Sequence, residues 1–328
     1  MFQIASDDQL LYCPTAYYQG IVEQCDHVVS ILSVTNKYEL QGVEPRKILF
    51  QANALKPYRD MRDSKEAQGK FTWTLALYGT KEMAKDVGLS EAEYWDQIIS
   101  ACYLDHSDPI ASWRNTYTKL EIIRSTLNAL PIQSLHVKAD GIDLRVGLDA
   151  HRLWLGGSGR NIPSYELFIS PDWRQTEGYI SFNQPLYRYG NRIEGIVLHF
   201  DEGKIVKATA SSGQDLLREM IASPNADKIG EFSLTDGRYS RITHRMGDTL
   251  YDENIGGPEG NTHVALGSAY RDSFKGDVAK VSEEQWDNWG YNNSPVHTDI
   301  ISTSKRQVTA TLTDGSKLLI YKGGEFVI

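Results

Sequence analysis

No stretch of the chain holds the roughly 18 consecutive apolar residues that a membrane-spanning helix needs, so an integral helical membrane protein is excluded. Cysteine is scarce. Cys13, Cys25 and Cys102 are odd in number, widely spaced and form no C-x-x-C pair, which speaks against a disulfide frame or zinc ribbon and for free thiols in a reducing cytoplasm. The opening MFQIASDDQLLY carries acids where a secretory signal carries basic residues, so a cytoplasmic location is expected. Positive charge is also short, since 34 Lys and Arg against 43 Asp and Glu leave a net charge of -9. A phosphate backbone selects for the opposite balance, so nucleic acid and anionic membranes are excluded as general partners. H-E-x-x-H, the phosphate-binding G-x-x-x-x-G-K-[ST] and the G-x-S-x-G elbow are all missing, as are fixed-period repeats.

What remains is an ordinary globular composition in 328 residues, long enough for one large or two ordinary domains with a sizeable core. Residues 1–85 look mixed α/β, with an apolar-periodic stretch at 21–32 and strand-like KILFQ (47–51) and FTWTLAL (71–77). The charged KPYRDMRDSKEAQGK between those strands reads as an exposed loop. Ser90 and Glu93 have capping-box spacing, and Tyr94, Ile98 and Cys102 recur on one face, so a helix is expected over 90–104. Asp108-Pro109 opens another, whose Trp113, Tyr117, Leu120, Ile123, Leu127 and Leu130 read as core, before Pro131 stops it.

From Leu135 the apolar period shortens to two, as half-buried strands require. FDEGKIV (200–206) and TLTDGSKLLIY (311–321) read as hairpins, and GQDLLREMIAS (213–223) as a short amphipathic helix. The expected architecture is therefore an α/β amino-terminal region over 1–85 followed by a β-rich α+β carboxy-terminal domain over 86–328.

Candidate chemistry lies in the second region. Most of the histidines have structural explanations: His136 and His199 sit on expected strands, and His106 sits at a helix end. WLGGSGRN (154–161) reads as a turn, not a phosphate loop. SPVHTDII (294–301) is different, because His297 and Asp299 at i and i+2 share one strand face. By itself that pattern is more often a structural histidine–aspartate pair than a pair of metal ligands. YDENIGGPEGNTHVALGSAYRD (251–272) adds Glu253, His263 and Tyr270, while Glu166 and Glu231 stand in apolar surroundings. A glutamate buried there must be neutralised, paired or bound to a metal. Four carboxylates and two imidazoles make a ligand set for two divalent cations, and separate salt bridges and caps are the competing explanation.

The ordered series NIPSYELFISPD, IGEF, TLYDENIGG, THVALGSAY and SPVHTDII resembles the M29 family of metal-dependent aminopeptidases, the thermophilic aminopeptidase T type. DPIASWRNTYTKLEIIRSTLNAL and GIDLRVGL resemble it too, so the likeness runs from about residue 71 to the end, with a short amino-terminal region. The resemblance implies an enzyme that removes amino-terminal residues from peptides with two divalent cations (zinc, cobalt or manganese). It implies Glu166, Glu231, Glu253, His263, His297 and Asp299 as ligands, with Glu231 bridging and Tyr270 as an active-site residue. A homodimer belongs to the same expectation. The alternatives are another two-metal amide or ester hydrolase, or a non-catalytic peptide-binding descendant. Arg160 and Arg271 are candidates for a substrate carboxylate, with ordinary solvated arginines as the default, and Asp172 reads as structural.

Overall fold

The period-two pattern after residue 131 folds into two antiparallel sheets that share one core. The structure is a computed structural model describing residues 1–328. At the centre of the larger sheet, β3 (Ile132–Ala139) and β4 (Ile142–Gly147) form a hairpin. Next to β4 come β7 (Asp172–Ser181), β10 (Val197–Asp201) and β11 (Lys204–Thr209). Next to β3 come β15 (Arg306–Leu312), β16 (Lys317–Lys322) and β17 (Glu325–Phe326). Both expected hairpins are present. In the first, Asp201 pairs with Lys204 across Glu202 and Gly203, whose φ values of 48° and 77° are what a two-residue turn between twisted strands demands.

The smaller sheet has the order β14 (His297–Ser302), β13 (Asn261–Gly267), β12 (Ile229–Thr235) and β6 (Glu166–Ile169), antiparallel throughout. Leu167, Ile169, Phe232, Leu234, Val264, Leu266 and Ile300 on one of its faces join Leu135, Val137, Leu144 and Val308 in the main core. Burying each such side chain stabilises the fold by about 1.5–3 kcal/mol. A short ribbon of β8 (Leu186–Arg188) and β9 (Asn191–Ile193) projects beside β14.

The capping box at Ser90 is formed, with Glu93 Oε2 accepting from the Ser90 amide at 2.8 Å, and the helix Glu91–Ala101 follows. Tyr94, Ile98 and Cys102 bury its face against Tyr165 and Tyr251 in a second core. Asp108 caps the helix Pro109–Ala129, which ends before Pro131 as expected.

Two amino-terminal expectations are corrected. KILFQ lies inside the helix Pro45–Ala54, and the charged stretch is not a loop but the helix Lys56–Ala67. A short apolar run does not distinguish strand from helix, and a proline in the first turn of each helix was the decisive signal. The charged helix is further supported by the Lys56–Asp60 pair one turn apart at 2.8 Å. The strands of this region, β1 (His27–Leu32) and β2 (Thr72–Leu77), are parallel, and β5 (Asn161–Ile162) completes their sheet from far along the chain, four residues before Glu166.

Candidate metal centre

A strand that gives alternate side chains to the core must present the others on the opposite face. For the smaller sheet, register decides which residues these are. Glu166 pairs with Thr235, Ser233 with His263, and Ala265 with both Glu231 and Asp299. Gly267 pairs with His297. Glu166, Glu231, His263, His297 and Asp299 therefore come from four adjacent strands onto one face. The backbone is tight here: Gly267 has φ of 102°, and a Cβ on it would lie 2.1 Å from the carbonyl oxygen of Val296.

His297 and Asp299 do point the same way, with Nε2 and Oδ1 3.2 Å apart. Glu231 stands between the imidazoles, its Oε1 3.1 Å from His263 Nε2 and its Oε2 3.3 Å from His297 Nε2. His263 Nε2 is also 3.4 Å from Glu166 Oε2 and 3.9 Å from Asp299 Oδ1. Donor atoms lie within 4.8 Å of one another in three sets: Glu166, Glu231 and His263; Glu231, His297 and Asp299; and Glu253, His263 and Asp299. Glu253 arrives from outside the sheet, just after the short helix Thr249–Asp252. The amides of Asn161 and Asn254 donate to its Oε1 at 3.3 and 3.4 Å. Tyr270 sits at the rim, 41% exposed, its ring centroid 4.8 Å from that of His297 and 5.4 Å from that of Phe168.

The cluster has more negative charge than its imidazoles offset. Burial pushes Glu166 up to about 7, with the Glu231 carboxylate adding to the effect against His263. Glu253 is raised well above the carboxylate range by burial, then by Glu166 and Asp299. Burial would also raise Asp299 and Glu231, but the imidazoles outweigh it and hold both below their ordinary values. Burial opposes protonation of His263, yet Glu166 and Glu231 push it to about 9. The Tyr270 phenol is pushed well above its usual range by desolvation and then by Glu231 and Asp299, so it stays a hydrogen-bond donor at neutral pH.

The donors suit divalent cations. His297 Nδ1 lies 2.8 Å from the Ser268 carbonyl oxygen, which can only accept, so Nδ1 carries a proton and Nε2 is the nitrogen left facing the carboxylates, free to give up its own proton to a cation. Ser233 Oγ donates to Glu166 Oε2 at 2.8 Å, fixing that carboxylate in turn. Bringing buried carboxylates this close is costly unless positive charge joins them.

Sequence reasoning missed these supports. Ser233 was recoverable, because it lies two residues after Glu231 and so on the same face, whereas the Ser268 carbonyl, Asn161 and Asn254 had no local signal. Arg160 and Arg271 are committed elsewhere, the first to Glu66 and Asp272 at 2.6 and 2.8 Å and the second to Glu283 at 2.5 Å. Asp172 is buried and paired with Arg174, a structural role. His106 accepts from or donates to Ser112 at 2.8 Å at its helix end, and His136 pairs with Asp143. Trp286, Trp289 and Tyr291 pack with Phe274 and Arg152, which holds their loop to the domain.

The profile of the thermophilic metalloprotease (M29) family matches residues 1–326. Aminopeptidase PepS of Streptococcus thermophilus is 32% identical over 308 residues, which cover 88% of this chain and 73% of that protein. Aminopeptidase T of Thermus thermophilus is 30% identical over 99% of this chain and 83% of its own length. The solved structure of wild-type AmpT from Thermus thermophilus superposes on 100% of this chain and 83% of that one, with a TM-score of 0.82 and 26% identity. These likenesses define a metallopeptidase, a hydrolase that works with a divalent metal. Within that class the chain belongs to the M29 family of thermophilic metalloproteases. The match extends to the first residue, beyond the start near residue 71 that the motifs marked.

Proposed function

We propose that the protein is a metal-dependent aminopeptidase that removes amino-terminal residues from peptides with two divalent cations held on the polar face of the smaller sheet. The observation that carries this reading is Glu231, whose two oxygens each face a different imidazole at 3.1 and 3.3 Å. A carboxylate so placed can serve two cations at once. Glu166 and His263 would complete one ligand set with it, His297 and Asp299 the other, with Glu253 beside His263 and Asp299. The relatives named as aminopeptidases support the exopeptidase reading.

When bound, the cations would supply Lewis acidity, making water nucleophilic near neutral pH and polarising the scissile carbonyl. The protein's own contribution is positioning. His297, oriented by Ser268, and Glu166, oriented by Ser233, cannot swing out of register. Tyr270 keeps its proton and stands at the rim of the cluster, where its hydroxyl can donate to the oxyanion as the carbonyl becomes tetrahedral, an interaction that strengthens in the transition state. The free amine of the substrate would be held by a cation or by a carboxylate of the cluster.

Elemental analysis together with release of p-nitroaniline from aminoacyl p-nitroanilides tests the reading. Stoichiometric metal with chelator-sensitive turnover is expected. A protein that binds no divalent metal, or that keeps full activity as Glu231→Gln, overturns it.

A further inference from the structure

Beside the cluster lies a cavity of about 220 Å³, whose walls include Asp299, the amino-terminal segment around Lys37, the start of the helix at Asp248, and the β8–β9 ribbon. Two cations reach it. Lys37 is satisfied by Asp86 at 3.2 Å and by the carbonyl of Gly247. Arg188 is not: it donates once, to the carbonyl oxygen of His297 at 3.1 Å, no carboxylate pairs with it, and its Nε is buried without an acceptor. The neighbouring Tyr189, whose ring lies 5.1 Å from the guanidinium, has a buried hydroxyl that is also without a partner.

A guanidinium has five donors in a planar fork, and leaving one of them, here Nε, buried without an acceptor is costly. None of the four acids on the same wall forms an ion pair with it: Glu39 lines the cavity without an ion-pair partner, and Asp299 feels the Arg188 charge only at longer range. Asp248 accepts from the Leu250 amide at 3.1 Å, Asp252 accepts from the Met246 amide at 2.6 Å, and Asp299 is engaged by His297. The one hydrogen bond Arg188 makes is to the main chain of the cluster residue His297, and it shares the cavity wall with Asp299.

We infer that Arg188 is a carboxylate-binding subsite that selects substrates bearing a negative charge next to the scissile bond. Two sources share this chemistry: the terminal carboxylate of a dipeptide, or an acidic side chain. The fork geometry matches a carboxylate bidentately, which a lysine in its place could not do.

This inference rests on the aminopeptidase reading, and the experiment separates the two. The metal-loaded protein is assayed on leucyl-leucine against leucyl-leucinamide, and on glutamyl- against glutaminyl-p-nitroanilide. The expected result is that one or both acid-to-neutral ratios of kcat/KM exceed about tenfold, the difference residing in KM. A high first ratio identifies the terminal carboxylate, and a high second ratio the side chain. Arg188→Gln, which keeps a donor for the His297 carbonyl, collapses the elevated ratio toward one, and Arg188→Met does the same. Ratios near one in the wild type, or an elevated ratio that survives both substitutions, overturn the subsite while leaving the aminopeptidase reading intact. A wild type that cleaves none of the four substrates overturns both.

Discussion

Single side chains in the cluster are oriented by partners that never meet the substrate, and this makes their contributions separable. Glu231→Gln keeps shape and removes the charge between the two imidazoles, so turnover is expected to fall at least about a thousandfold with unchanged circular dichroism. Ser233→Ala leaves every donor in place and removes only the hydrogen bond to Glu166. Loss of such a support lowers metal affinity by about 10- to 100-fold, readable by titrating the metal-free protein with zinc or manganese. Tyr270→Phe should lower kcat by about 10²-fold or more with little change in metal content, since its hydroxyl is assigned to the transition state.

At the level of elements, the four-strand sheet works because the same alternation that sends Phe232, Leu234, Val264 and Ile300 into the core sends Glu231, Ser233, His263 and Asp299 the other way. A slip of one residue in β14 would exchange Asp299 for Ile300 and destroy core and cluster together. Asp172, at the start of β7, gives the element scale its pH dependence. Burial would raise its pKa, but Arg174 and Gln175 hydrogen-bond the carboxylate and hold it below the ordinary range. A depressed folded-state value means that the stabilisation is complete above the unfolded value near 4 and disappears as pH falls through the lower folded value. Asp172→Asn is therefore expected to lower stability at pH 7 by about 1–2 kcal/mol, toward the low end because Arg174 is 43% exposed. Urea titrations at pH 7 and pH 3 should show the mutant and wild type converging at the acid end.

For the whole molecule, the centre draws on the small sheet, the loop before β13 and the segment before β6, so metal binding should stabilise the fold as a unit. A ligand at a hundred times its Kd stabilises by about 2.7 kcal/mol per site. Chelation should accordingly lower Tm by several degrees, with recovery on adding back zinc, cobalt or manganese, as followed by differential scanning calorimetry. No helix in the molecule is long and apolar enough to cross a membrane.

The sequence by itself determined the local events: the capped helix starts at Ser90 and Asp108, the hairpins around Gly203 and Gly315, and the placement of His297 and Asp299 on one strand face. Each depends on residues within a few positions of one another. It also held the family resemblance, because five ordered motifs survive without any knowledge of contacts. What local pattern left open was KILFQ, where apolar periodicity is too short to choose between helix and strand, and the charged helix after it, which has no fully buried residue to mark a face. Only the tertiary structure decided that Glu231 lies between two imidazoles, that Ser233 and Ser268 orient the donors, and that Arg188 reaches the cavity without a carboxylate partner. Those facts depend on strand register and on segments 29 to 109 residues apart, which a chain read in one dimension does not bring together.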